Sequence, residues 1–232
     1  MTALGSLTWP EVADRAHAEP ILAVPLGATE QHGPHLPLST DTDIAVALAE
    51  RLAREVRSVV VAAPVAFGAS GEHQGFPGTL SIGQAAVELL LVELVRSAAA
   101  TFSRTVIVSA HGGNAEPVAR AVRRMRHEGR DVLAFSPRWG GDAHAGRTET
   151  SVMLALAPGR VRLGRAETGN TAPLGELMPR LRRDGVRAVT ANGVLGDPTG
   201  ASAEQGEELL RGAVGELAAL VVRWDGRMVV RP

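Results

Sequence analysis

"ILAVPLGATEQHGPHLPLSTDTDIAVALAERLAREV", residues 21–56, runs from an apolar stretch through a polar loop into a periodic one. Ile21 to Leu26 is apolar throughout, the pattern of a strand buried on both faces. From Asp43 onward, Ile44, Leu48 and Leu52 share one face at helical spacing, while Glu50, Arg51 and Arg54 point elsewhere. The loop between them, residues 27–43, holds Glu30, His32, His35, Asp41 and Asp43, in a chain with only seven histidines. So much ionisable chemistry at the end of a buried strand asks for partners elsewhere in the chain.

The same alternation continues. "SVVVAAPVAF" (58–67), "TVIVSA" (105–110) and "DVLAFS" (131–136) read as strands. "GQAAVELLLVELVRSAAATF" (83–102) reads as a helix apolar around most of its circumference, which predicts a well-buried element. "EPVARAVRRMRHEG" (116–129) is a helix with a basic outer face and a terminal glycine. A last helix opens at "SAEQGEELL" (202–210), where Ser202 and Gln205 have capping-box spacing and Leu210, Val214, Leu217 and Val221 form the stripe. Strands alternating with helices predict an α/β fold with a mainly parallel sheet covered on both faces. There is no internal repeat and no dividing linker, so residues 1–232 are expected to form one domain. The irregular stretch 158–200 reads either as an excursion or as an oligomer contact.

Composition narrows the function. The chain has no cysteine, which removes thiolate ligands and cysteine nucleophiles and leaves His, Asp and Glu to hold any metal. Its net charge of -1, with both signs interspersed, leaves no basic footprint for nucleic acid or an anionic membrane. Aromatic residues make up 3% and tyrosine is absent, so base-stacking platforms are not expected. No apolar stretch reaches the ~20 residues of a membrane span, and the start "MTALGSLTWPEVADRA" lacks the features of a secretory signal. A cytoplasmic protein with a small-molecule or peptide partner is the expectation.

Chemistry-bearing residues recur after each strand. Glu72 and His73 follow the second, His111-Gly112-Gly113-Asn114 the third, and Asp142, His144 and Glu149 the fourth. In a parallel sheet these loops meet beyond the carboxyl ends of the strands. Imidazoles and carboxylates crowd there at low cost only if a cation compensates them. Oxygen and nitrogen donors without sulfur suit Zn, Fe or Mn. Two such ions ~3.5–4 Å apart, sharing a carboxylate, lower the pKa of water from ~15.7 toward ~7 and polarise a carbonyl, so hydrolysis is the natural chemistry.

"GATEQHGPHLPLSTDTD" (27–43), "GEHQGFPGT" (71–79), "HGGN" (111–114) and "HAGRTETS" (144–151), in that order, resemble the creatininase family of metal-dependent amidohydrolases. The resemblance implies a three-layer α/β/α sandwich, a homo-oligomer, and a binuclear centre that hydrolyses C–N bonds. It places Glu30, His32, Asp41 and His111 on ligand positions, with Asp41 as the bridge. Creatininases carry a glutamate ligand two residues after the histidine of the third motif, where this chain has Gly113; Glu149 is the replacement the motifs offer. His144 matches a histidine that handles protons, a general acid or base.

Within the family, "GASGEHQGFPGTLSIG" (68–83), "GGDAHAGRTETS" (140–151) and "GVLGDPTGASAEQGEELL" (193–210) are most similar to the branch from mycofactocin biosynthesis. That implies removal of a C-terminal Val-Tyr dipeptide from a modified precursor peptide, with two divalent ions, Fe(II) and/or Zn(II), or Mn(II). The alternative is another creatininase-type reaction, on creatinine-like cyclic amides or a formamidopyrimidine. Several residues keep two readings. Asp43 could ligate in place of Asp41, or serve the helix start. His35 is an outer partner of a ligand or a plain loop histidine. Glu72 and His73 line the substrate cleft or belong to a solvated loop. Trp139 is a lid over the substrate or a packed aromatic.

Overall fold

In the computed structural model, which describes residues 2–226, five parallel strands form one sheet in the order β1-β3-β2-β4-β5. They are β1 (Thr2–Ala3), β2 (Ile21–Leu26), β3 (Val59–Val61), β4 (Arg104–Ser109) and β5 (Asp131–Phe135). The helices are α1 (Trp9–Ala16), α2 (Thr40–Glu55), α3 (Gly83–Ala98), α4 (Ala115–His127), α5 (Arg147–Leu156), α6 (Leu174–Asp184) and α7 (Ala203–Asp225).

The pleat explains why β2 is apolar at every position. Ile21 and Ala23 face a core built with Leu48 and Leu52 of α2, Met153 of α5 and Leu217 of α7. Leu22 and Val24 face the opposite side, with Val12 of α1 and Leu94 of α3, and Leu26 joins Leu91 of α3 and Met125 of α4. Each fully buried Leu or Ile contributes about 1.5–3 kcal/mol. The three layers expected from the family resemblance are therefore present. Helix α7 lies hard against α5: a Cβ on Gly206 would come within 1.9 Å of the Ser151 carbonyl oxygen.

Local details differ from the sequence expectations. Only Val59–Val61 of the second apolar run pairs in a ladder, because Pro64 has no N–H to donate; Val65 makes just a single bridge to Leu26. Helix α3 is one-faced: Val87, Leu91, Val92 and Val95 are buried, but Leu89 is 56% exposed. At the start of α7, Ser202 Oγ accepts from the Gln205 N–H, while the Gln205 side chain turns away to accept from Arg147 Nε at 2.8 Å. The capping box is half made. The stretch 158–200 is an excursion that carries α6 and a small apolar cluster of Leu181, Val186 and Leu195 with Phe76 beside the mouth of the main cavity. Among the described residues no helix is long and apolar enough to cross a membrane.

The strand order sets the site. From β2 the chain moves to β3 on one side, then crosses back over β2 to β4 on the other. The loops after β2 and β4 diverge to opposite faces of the sheet and leave a crevice, the usual ligand position in open α/β sheets.

Candidate metal centre

Glu30 and His32 enter this crevice on the loop after β2, and Asp41 from the first turn of α2. His111 directly follows β4, Glu72 and His73 lie on a short turn after β3, and His144 and Glu149 flank the start of α5. Asn114 ties three of these loops together: its Oδ1 accepts from the Ala69 N–H and its Nδ2 donates to the Gly27 carbonyl, both at 2.9 Å. Backbone strain helps aim His144, since the next residue, Ala145, has φ +52°. That left-handed conformation costs a non-glycine residue about 1–2 kcal/mol.

Asp41 is the centre of the arrangement. Its Oδ1 lies 3.2 Å from His32 Nε2 and its Oδ2 3.4 Å from His111 Nδ1. Glu30 Oε2 is 3.3 Å from His111 Nε2, and Glu30 Oε1 is 3.3 Å from His73 Nε2. Glu149 Oε2, held by a 2.6 Å bond from the Ala145 N–H, stands 4.0 Å from both His32 Nε2 and His144 Nδ1. Glu30, Asp41 and His111 offer one set of converging donors, and His32, His144 and Glu149 another.

Outer hydrogen bonds aim the rings. The His32 Nδ1–H donates to the Glu30 carbonyl at 3.1 Å, which turns its Nε2 lone pair toward Asp41. The His111 Nε2–H donates to the Ala69 carbonyl at 3.1 Å, leaving Nδ1 for the site. The His144 Nε2–H donates to the Gln31 carbonyl at 2.8 Å, so its Nδ1 faces Glu30 and Glu149. Metal-ligating imidazoles are held in this way.

The electrostatics call for cations. Glu30 and Asp41 are buried, and both oxygens of Glu30 and Oδ2 of Asp41 accept no hydrogen bond. Burial opposes charge on Glu30, yet the His111, His73 and His32 rings hold its carboxyl well below the usual range. Asp41 is pushed up, by burial first, against the pull of His32. Burial works against protonating His32 and His111, but Asp41 and Glu30 respectively outweigh it and push each up to about 10. Protons on these two rings thus do the work that divalent ions would do. His73 is driven down to about 3 and His144 is also lowered, both mainly by burial. Buried carboxylates without donors, beside imidazoles with aimed lone pairs, fit divalent cations.

The other candidates sort by position. His35 is buried and shares a 2.9 Å hydrogen bond with Thr150 Oγ1, next to Glu149. Asp43 is paired with Arg160 at 2.7 Å and with Ser39, away from the cluster. Asp142 accepts from the Arg147 N–H at 2.6 Å and so secures the start of α5. Glu72 and His73 line a cavity of about 1020 Å³ that opens onto the cluster. Trp139 corrects the lid reading: it packs against the core shared by α2, α5 and α7 and is not among the cavity's lining residues. Gln31, which the sequence reading passed over, links His73, Gly193 and, through its carbonyl, His144. Its position between two ionisable neighbours was the available signal.

The family model described as creatinine amidohydrolase matches residues 5–221. The chain belongs to the creatininase family. It is accordingly a hydrolase acting on C–N bonds. It is 54% identical over 214 residues, 89% of this chain and 86% of the relative, to the mycofactocin precursor peptide peptidase of Mycolicibacterium smegmatis. It is 47% identical over 232 residues, 95% of this chain and 91% of the relative, to the protein of the same name from Mycobacterium tuberculosis H37Rv. Among solved structures, a creatininase with Mn matches at TM-score 0.83 and 27% identity, over 96% of this chain and 98% of that one. A mutant creatininase of Zn-Zn type matches at the same score and identity, over 95% and 97%. The family's departure at Gly113 has a steric basis here. A Cβ there would come within 2.3 Å of the Ala69 carbonyl oxygen and 2.4 Å of His111 Nε2.

Proposed function

We propose that this creatininase is a peptidase that releases the C-terminal Val-Tyr dipeptide from the modified mycofactocin precursor peptide, using two divalent ions, Fe(II) and/or Zn(II), with Mn(II) a further candidate. The observation that carries the metal reading is Asp41, whose two oxygens reach His32 on one side and His111 on the other. In this reading Glu30, Asp41 and His111 hold one ion, and His32, Asp41 and Glu149 the other. Asp41 bridges, and Glu149 takes the part of the glutamate that Gly113 cannot supply. The peptide reading rests on the named relatives. A cavity of about 1020 Å³ also supports it, at the upper end of the ~300–1,000 Å³ typical of small-molecule sites.

Bound ions would polarise the scissile carbonyl and make hydroxide available at neutral pH. The protein's own groups do the rest. His144 is neutral near pH 7, with its proton fixed on Nε2 by the Gln31 carbonyl. Its Nδ1 therefore takes a proton from water and passes it to the leaving amine. Glu72, at the cavity wall and raised by burial, lines the path of the peptide with His73.

The test is to strip the protein with a chelator, reload it with Fe(II), Zn(II) or Mn(II), and follow the modified precursor by mass spectrometry. Dipeptide release is expected with at least one ion. Hydrolysis of creatinine or a formamidopyrimidine, without action on the precursor, would support the alternative, which the 29% identity to a creatinine amidohydrolase of Pseudomonas putida keeps in view.

A further inference from the structure

Four imidazoles surround the carboxylates, and one is built differently. His32, His111 and His144 each donate their outward N–H to a main-chain carbonyl and present a lone pair to the cluster. The outward nitrogen of His73, Nδ1, instead sits 2.9 Å from the side-chain nitrogen of Gln31. Two independent contacts orient the Gln31 amide. Its Oε1 accepts from the Gly33 N–H at 2.9 Å, and its Nε2 donates to the Gly193 carbonyl at 3.0 Å. Flipping the amide would set donor against donor at Gly33 and acceptor against acceptor at Gly193. Gln31 Nε2 therefore donates its second proton to His73 Nδ1, which must be the acceptor.

The consequence follows from the tautomer. With Nδ1 accepting, the ring proton lies on Nε2, and Nε2 faces Glu30 Oε1 at 3.3 Å. That oxygen is buried and has no hydrogen-bond partner of good geometry. The next ring nitrogen near it, His144 Nδ1 at 3.8 Å, carries a lone pair. We infer that His73 is a positioning residue: it directs an N–H, set by Gln31, at the outer oxygen of Glu30, so that Glu30 engages a cation through Oε2 beside His111 and Asp41. Although Glu30, His73 and His144 converge closely enough to suggest a third metal triad, the Gln31 bond takes His73 out of it.

This rests on the metal reading of Glu30, and the tests separate the two. Long-range proton–nitrogen correlation NMR on the Zn(II)-loaded protein reads the tautomer directly. His73 is expected to carry its proton on Nε2; a metal-bound, deprotonated Nε2 overturns the inference. Competition with a chromophoric chelator then gives Zn(II) affinity. His73→Leu is expected to weaken it about 10–100-fold, as loss of an outer partner does. His73→Gln, whose amide N–H can reach the place of Nε2–H, should recover most of that, and Gln31→Leu should fall with His73→Leu. Unchanged affinity in His73→Leu, or His73→Gln as weak as His73→Leu with one ion missing, overturns the positioning role alone. Wild-type protein that takes up no ion overturns the metal reading and this inference with it.

Discussion

Gly113 and Glu72 compete for one space: a Cβ built on Gly113 would lie 2.5 Å from Glu72 Oε1. The Ala69 carbonyl closes the other side, so a side chain at position 113 displaces either a carboxylate of the cavity wall or the backbone that orients His111. Restoring the creatininase pattern with Gly113→Glu should therefore not add a ligand. Zn(II) affinity and turnover are expected to fall by at least about 10-fold, the scale seen when an outer partner of a ligand is disturbed. Chelator competition and steady-state kinetics check it, and a tighter-binding, fully active variant would contradict it.

Asp41→Asn removes one charge and the bridging capacity while keeping the shape. Affinity for divalent ions should drop by more than about 100-fold, beyond the range for outer partners. The metal-free protein should unfold at the same or a higher temperature, because a buried carboxylate lacking a donor on Oδ2 has gone. Calorimetry with and without Zn(II) separates the two effects.

His144→Ala should lower kcat by about 10²–10⁴, the span for loss of a general acid or base. Metal content and KM should change little, since the other five proposed ligands remain. Loss of an ion from this variant would assign His144 as a ligand instead, which its 4.0 Å approach to Glu149 permits geometrically.

Stability of the metal-free protein should depend on pH with a worked sign. His32 and His111 are raised from 6.5 to about 10 in the fold. Their contribution is full below about pH 6.5 and is lost as pH rises toward 10, because the unfolded chain releases those protons first. His73, lowered from 6.5 to about 3, acts oppositely: its contribution holds above about 6.5 and is lost as pH falls toward 3. Loading with metal requires deprotonated His32 and His111, releases protons and should flatten the alkaline limb. Melting temperatures across this range, with and without chelator, test it. An alkaline limb identical in both forms counts against it.

The crossing of α5 and α7 offers a check on the fold alone. Gly206→Ala places a methyl 1.9 Å from the Ser151 carbonyl oxygen, and overpacking of this kind costs about 1–3 kcal/mol. Denaturant unfolding should show the loss, with the metal site spectroscopically intact at low denaturant.

Period and residue type were enough to read much of this molecule from its sequence. The apolar run Ile21 to Leu26, and Ile44, Leu48 and Leu52 at helical spacing, follow from side-chain direction along a strand and a helix, which are local properties. Loops bearing His, Asp and Glu after successive strands pointed to one crevice for the same reason. Local pattern misled where neighbours in space decide the outcome. Leu89 is exposed because α3 has core on one side only, and Trp139 packs against that core's counterpart across the sheet rather than over the cavity.

Only the tertiary structure decided which carboxylate stands where no side chain fits at Gly113, which nitrogen of each imidazole faces the cluster, and that Gln31 belongs to the site. These are contacts between residues 42 to 162 positions apart, such as Gln31 with His73 and with Gly193. They exist because strand order brings separate loops together, and no spacing along the chain encodes a distance of 3 Å between them.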